Sequence, residues 1–169
     1  METKTKLYSL SFGNIKTYLF AFLFIAGNIL LPQLCHLIPA GGPTFLPIYF
    51  FTLIAAYKYG FRVGLLTALL SPVINHLLFG MPATATLLPI LIKSTLLAGA
   101  ASITANYAQK ATIATLLIVV LSYQLIGTTV EWALCGDFYM AIQDFRMGIP
   151  GLLIQWLGGY LLLKALRNL

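Results

Sequence analysis

Residues 87–107 read LLPILIKSTLLAGAASITANY, a run of apolar and small residues broken by a single charge, Lys93. A helix rises about 1.5 Å per residue, and a hydrocarbon core is crossed by roughly 20 helical residues. The run therefore has the length and character of a membrane crossing. The remainder of the chain shares that character. Of its 169 residues, 60% are hydrophobic and 8% charged, with a mean hydropathy of +0.92, whereas soluble domains carry about 25% charged residues. The expected fold is an all-α integral membrane protein, a single membrane domain over 1–169 with no soluble domain of useful size.

Working outward from 87–107, breaks rich in Gly, Pro and polar residues delimit six expected spans, at about 18–37, 45–57, 61–79, 87–107, 111–130 and 148–166. The second is short, which implies a tilted, interrupted or barely spanning segment. The first 17 residues carry Lys4, Lys6 and Lys16, and no small-residue cleavage pattern closes the apolar run that follows. A retained first helix behind an N-terminal segment 1–17 is expected, with the mature chain starting near Met1. No internal repeat is evident.

Lys and Arg beside short loops stay on the cytoplasmic side. With six spans, Lys4, Lys6, Lys16, Lys58, Arg62, Lys110, Lys164 and Arg167 fall on one side and Arg146 alone on the other. Both termini are expected in the cytoplasm. The net charge of +6 follows from this asymmetry and calls for no nucleic acid partner.

The polar residues inside the spans gather in the outward halves. Gln33 and His36 close the first span, Asn75 and His76 the third; Lys93 opens the fourth, Gln124 and Glu131 lie toward the end of the fifth, and Gln155 opens the sixth. Polar groups in hydrocarbon cost several kcal/mol without partners, so their shared depth suggests an interior cavity open to the outside. Helical spacing draws three stripes: Gly64, Ala68, Ser71 and Asn75; Gln124, Thr128 and Glu131; Gly151, Gln155 and Gly158. Ordinary interhelical packing with amides as glue explains each stripe singly as well as a pocket does.

Lys93 admits three readings. It lies about six residues, or roughly 9 Å, inside its span, where its stem can snorkel to the headgroups. It can pair structurally with Glu131. Its ammonium can also neutralise an anionic ligand, with Asn75, His76, Gln124 and Gln155 as hydrogen-bond partners and Glu131 as its partner when the site is empty. Tyr49, Tyr123 and Trp156 are candidates to stack on a ligand ring. A carboxylate-bearing or electron-rich small molecule is the expected occupant.

The run GGPTFLPIYFFTLIAAYKYGFRVGLLTALLSPVINHLLFGMPATATLLPILIKSTLLAG resembles the substrate-binding membrane subunits, or S components, of energy-coupling factor (ECF) transporters, which take up riboflavin, folate, pantothenate and related nutrients. The matching pieces are Gly42 and Pro43, Leu46 and Pro47, Gly60 and Gly64, Ser71 and Pro72, LLFGMP ending at Pro82, and Pro89. The resemblance implies a six-helix subunit of a bacterial or archaeal cytoplasmic membrane. Such a subunit captures a small vitamin-like nutrient from outside, then docks on a transmembrane coupling protein driven by two ATPase subunits. The chain carries no GxxxxGK[ST] of its own, in keeping with that division of labour. Two departures stand out. Members often have an acidic residue where this chain has Lys93, and the Ala-xxx-Ala docking pair of the first helix is replaced by Ala21, Ala26 and Gly27 at other spacings.

Segment 136–151, GDFYMAIQDFRMGIPG, is expected outside as a loop or lid, or as an aromatic segment resting on the headgroups. Cys35 and Cys135 both fall near the outer face, as a disulfide or as two free thiols. No metal-binding spacing such as H-E-x-x-H occurs, no cofactor is implied, and with no GxSxG and only four acidic residues an enzyme is not expected. The rival reading is a noncatalytic membrane scaffold subunit of a cell-envelope complex.

Overall fold

The computed structural model describes residues 7–166; Lys4, Lys6 and Arg167 lie outside them. Among the described residues every regular element is helical. In chain order these are α1 (Ile15–Cys35), α2 (Gly41–Phe45), a 3-10 turn (Pro47–Tyr49) leading into α3 (Phe50–Tyr59), α4 (Phe61–Phe79), α5 (Thr84–Ala108), α6 (Ile113–Cys135), α7 (Phe138–Ala141), α8 (Gln143–Arg146) and α9 (Ile149–Ala165). Four of these, α1, α4, α5 and α6, are long and apolar enough to cross a membrane. The expected spans at 45–57 and 148–166 are helices, but shorter ones.

The shortness of α3 has a physical cause. Leu53, Ile54, Ala55, Ala56, Tyr57 and Lys58 are all essentially inaccessible, so no face of the helix remains for lipid. A helix that is apolar all round belongs in an interior, and α3 runs through the middle of the bundle, against α1, α4, α5 and α9. The long helices instead turn bulky apolar side chains outward, among them Leu19, Phe22 and Leu30 of α1 and Ile118, Leu125 and Ile126 of α6. Exposed apolar surface of this extent suits a hydrocarbon environment.

One residue, Gly60, separates α3 from α4. Its φ of +92° is open to glycine without strain, and a Cβ there would stand 3.1 Å from the Tyr8 carbonyl oxygen. The cations meet at this end of the bundle. The Lys58 ammonium donates to the Leu166 carbonyl at the end of α9, where the helix dipole favours positive charge. Arg62 donates to the Leu10 carbonyl, and the Tyr57 hydroxyl donates to the Lys110 carbonyl at 2.7 Å.

Toward the opposite end, α1, α3 and α4 are sewn together by one amide. Asn28 Nδ2 donates to Thr52 Oγ1 (3.0 Å) and Ser71 Oγ (3.3 Å), while Asn28 Oδ1 accepts from Phe51 N–H. Asn75 Nδ2 donates to the carbonyls of Asn28 (2.9 Å) and Ser71 (3.0 Å). The stripe Ser71–Asn75 is thus interhelical glue, with Gly64 seated against Ala56 to let α4 approach α3.

Candidate binding site

Beyond that amide network, at the end away from the clustered cations, a cavity of about 310 Å³ opens between α1, α2, α4, α5, α6 and α8. Its walls include five prolines, Pro32, Pro43, Pro47, Pro82 and Pro89, which share the apolar lining with Ile48 and Ile90. It reaches the surface beside Ala83 and Thr86, both exposed.

At its inner edge stands a cluster of three charges. Lys93 Nζ lies 2.5 Å from Glu131 Oε2 and 2.7 Å from Asp144 Oδ2. The lysine is 3% exposed, and its stem crosses α6 at Gly127, where a Cβ would stand 2.6 Å from Lys93 Cγ. Gln124 Nε2 supports Asp144 Oδ2 from behind at 3.1 Å. Two carboxylates hold the Lys93 ammonium, as the structural pairing with Glu131 and the empty-site form of the ligand reading both expect, and at 3% exposure the side chain does not reach out to headgroups.

Asp144 belongs to α8, within the expected lid. This segment is seated closely on α2 and the turn after it. A Cβ on Gly148 would stand 2.7 Å from Leu46 Cδ1, and one on Gly151 would stand 2.5 Å from the Phe45 carbonyl oxygen. At its outer surface the Arg146 guanidinium lies 3.5 Å from the centre of the Tyr139 ring and donates to that residue's hydroxyl.

Of the residues singled out in the sequence, Lys93, Glu131 and Asn75 line the cavity and Gln124 backs it. Asn75 Oδ1 accepts a 3.4 Å hydrogen bond from Gln33, which also lines the cavity, as do His36 and Tyr49. His76 stands elsewhere: its Nδ1 is 2.7 Å from the Pro82 carbonyl oxygen, tying down the turn after α4. Gln155 lies deeper, in a π-helical turn at Ile154–Gly158, where its Oε1 accepts from the Tyr123 hydroxyl at 2.6 Å. Trp156, one residue on, points away from the cavity. Its indole N–H donates to the Ile113 carbonyl at the start of α6, 2.8 Å away. The Ala21 side chain is buried, Gly27 lies under the Phe51 ring and Ala26 is half-buried.

Asp144 and Gly127 carry parts of the site that helical spacing did not assign. A carboxylate in a loop has no periodicity to reveal which helix it reaches, and Gly127 reads as one more small residue.

Four buried polar atoms have no hydrogen-bond partner among the described residues: Ser94 Oγ, Gln124 Oε1, Thr128 Oγ1 and Gln155 Nε2. The described residues contain no grouping of three His, Cys, Asp or Glu side chains placed to hold a metal ion. Cys35 and Cys135 are free thiols. No protein family, curated protein or solved structure matches the chain.

Proposed function

We propose that this chain is the substrate-capture subunit of an ECF-type nutrient uptake system, and that the proline-walled cavity receives a small vitamin-like molecule. The observation that carries the reading is the cavity itself, about 310 Å³ with a charged cluster and amides at its inner edge. Small-molecule sites are concave, about 300–1,000 Å³, mainly apolar, with a few placed polar groups. The resemblance of residues 41–99 to S components supports the same reading. On it the chain crosses a bacterial or archaeal cytoplasmic membrane six times, with both termini and the cation-rich end in the cytoplasm. The cavity then faces outward. A transmembrane coupling protein and two ATPase subunits complete the transporter, and this chain performs no catalysis.

The test is mass spectrometry of small molecules released from the purified full-length chain, together with binding measurements across a panel of vitamins and nucleobases. A retained metabolite, or a panel member that binds stoichiometrically, is the expected result. If the extract is empty and no panel member binds, the capture reading fails and the scaffold reading replaces it.

A further inference from the structure

Lys93 read by itself points to an anionic ligand, but its surroundings reverse that expectation. We infer that the molecule taken by this cavity is a compact, largely apolar ring bearing a cationic nitrogen group, such as an ammonium or amidinium, held by Glu131 and Asp144. The inference rests on the capture reading and names the chemistry of the same site.

The first argument is charge. The charged side chains lining the cavity are Lys93, Glu131 and Asp144, two carboxylates against one ammonium. A net negative site enclosed by apolar helices carries a desolvation cost that a cation of the ligand offsets and an anion aggravates. Two further titratable groups lie on the wall, the Tyr49 phenol and His36; His36 has its Nδ1 2.7 Å from the Pro32 carbonyl oxygen. That carbonyl can only accept, so Nδ1 holds the proton and Nε2 is a further acceptor in the neutral ring.

The second argument is the balance of donors and acceptors. A lysine ammonium has three protons, and the ion pairs with Glu131 and Asp144 engage two of them. Each carboxylate has about four lone-pair positions. Asp144 Oδ2 takes Lys93 and Gln124, while Asp144 Oδ1 and Glu131 Oε1 accept nothing from the described residues. Directly behind, Gln124 is fully buried with its Oε1 unpartnered. Among the three charged groups, the carboxylate oxygens offer more acceptor positions than the one remaining Lys93 proton can fill, and a donor-rich nitrogen group satisfies them. The apolar remainder of the ligand meets the five prolines with Ile48 and Ile90, an apolar lining that suits a compact ring.

The experiment uses the full-length protein in lipid nanodiscs and four probes of one size: benzylammonium, benzamidinium, benzyl alcohol and benzoate. Affinities are measured for wild type, Glu131→Gln, Asp144→Asn and Lys93→Met, each checked for a cooperative thermal transition. Metabolites retained through purification are identified in parallel. The two cations are expected to bind about tenfold or more tightly than benzoate, a difference of about 1.4 kcal/mol. Either carboxylate substitution should reduce that preference at least threefold, and Asp144→Asn serves if Glu131→Gln does not fold. A benzoate preference that Lys93→Met weakens and Glu131→Gln strengthens would overturn the inference while leaving the capture reading intact. So would equal binding of all four probes. If none of the probes binds, the retained metabolite decides: a cationic nitrogen compound supports the inference and an anion overturns it. An empty extract with no binding at all removes the capture reading, and the inference with it.

Discussion

The Cα of Gly127 on α6 faces the stem of Lys93 on α5 so closely that a methyl group there would stand 2.6 Å from Lys93 Cγ. The atom that would be struck lies near the root of the lysine side chain, so the whole stem must move and take the ammonium away from Glu131 and Asp144. Gly127→Ala is expected to destabilise the protein by about 1–3 kcal/mol, as overpacking does, and to deplete any co-purifying ligand. Gly99→Ala is the control. Nothing lies within 4 Å of a Cβ at that position inside α5, so its midpoint of thermal unfolding should hold or rise, by up to the about 0.5–1 kcal/mol equivalent that Ala gains over Gly within a helix.

Removing the ammonium should cost more than removing the whole cluster. Lys93→Met leaves Glu131 and Asp144 facing each other with no counter-charge, and breaking a buried pair costs about 3–5 kcal/mol. Exposure of the two carboxylates to the cavity, at 18% and 16%, places the expected loss at the lower end of that range. The triple variant Lys93→Met, Glu131→Gln, Asp144→Asn should recover most of it. Thermal unfolding of the three proteins in one detergent checks the order.

Asn28 should matter for stability and not for ligand charge preference. Its amide joins Thr52, Ser71 and the Phe51 N–H, and Asn28→Ala removes their partner in the buried interior. The expected loss is about 1–3 kcal/mol, read as a lower unfolding midpoint, with the ranking of cationic over anionic probes unchanged.

The free thiols report the topology. Cys135 is exposed just before segment 136–151, at the end of the bundle away from the clustered cations. In intact cells, a membrane-impermeant maleimide should label Cys135 in a Cys35→Ala background without permeabilisation. Labelling only after permeabilisation would invert the orientation, placing the cavity in the cytoplasm. The purified wild type should migrate alike with and without reductant.

The long helices were legible because lipid imposes a simple rule on sequence. The span expected at 61–79 coincides with Phe61–Phe79, and those at 87–107 and 111–130 lie within a few residues of Thr84–Ala108 and Ile113–Cys135. The segment at 45–57 was legible as an apolar run, but its brevity suggested a tilted or interrupted crossing. Hydropathy does not distinguish a helix bathed in lipid from one, like α3, wrapped by other helices. Within the site, periodicity placed Gln124, Thr128 and Glu131 on one face, and the structure turns that face toward Lys93. Asp144 lies 51 residues from Lys93 on a four-residue helix, too short for periodicity to assign it a partner. Gln155 and Trp156, adjacent in the chain, point to different places, because the π-helical turn shifts successive side chains away from simple α spacing.

The enclosure of α3 also bears on how the chain enters the bilayer. Ten residues and a preceding turn are too few to span the hydrocarbon core as an independent inserted segment. Backbone groups near its ends are met by protein, through the Asn28 side chain at Phe51 N–H and through the Tyr8 and Leu10 amides at the Lys58 and Tyr59 carbonyls. Polar backbone at that depth is tolerated only inside such an envelope. The expected consequence is joint release, α3 entering the bilayer together with α1 and α4, so that a nascent chain arrested before α4 emerges should hold α3 in no stable transmembrane position.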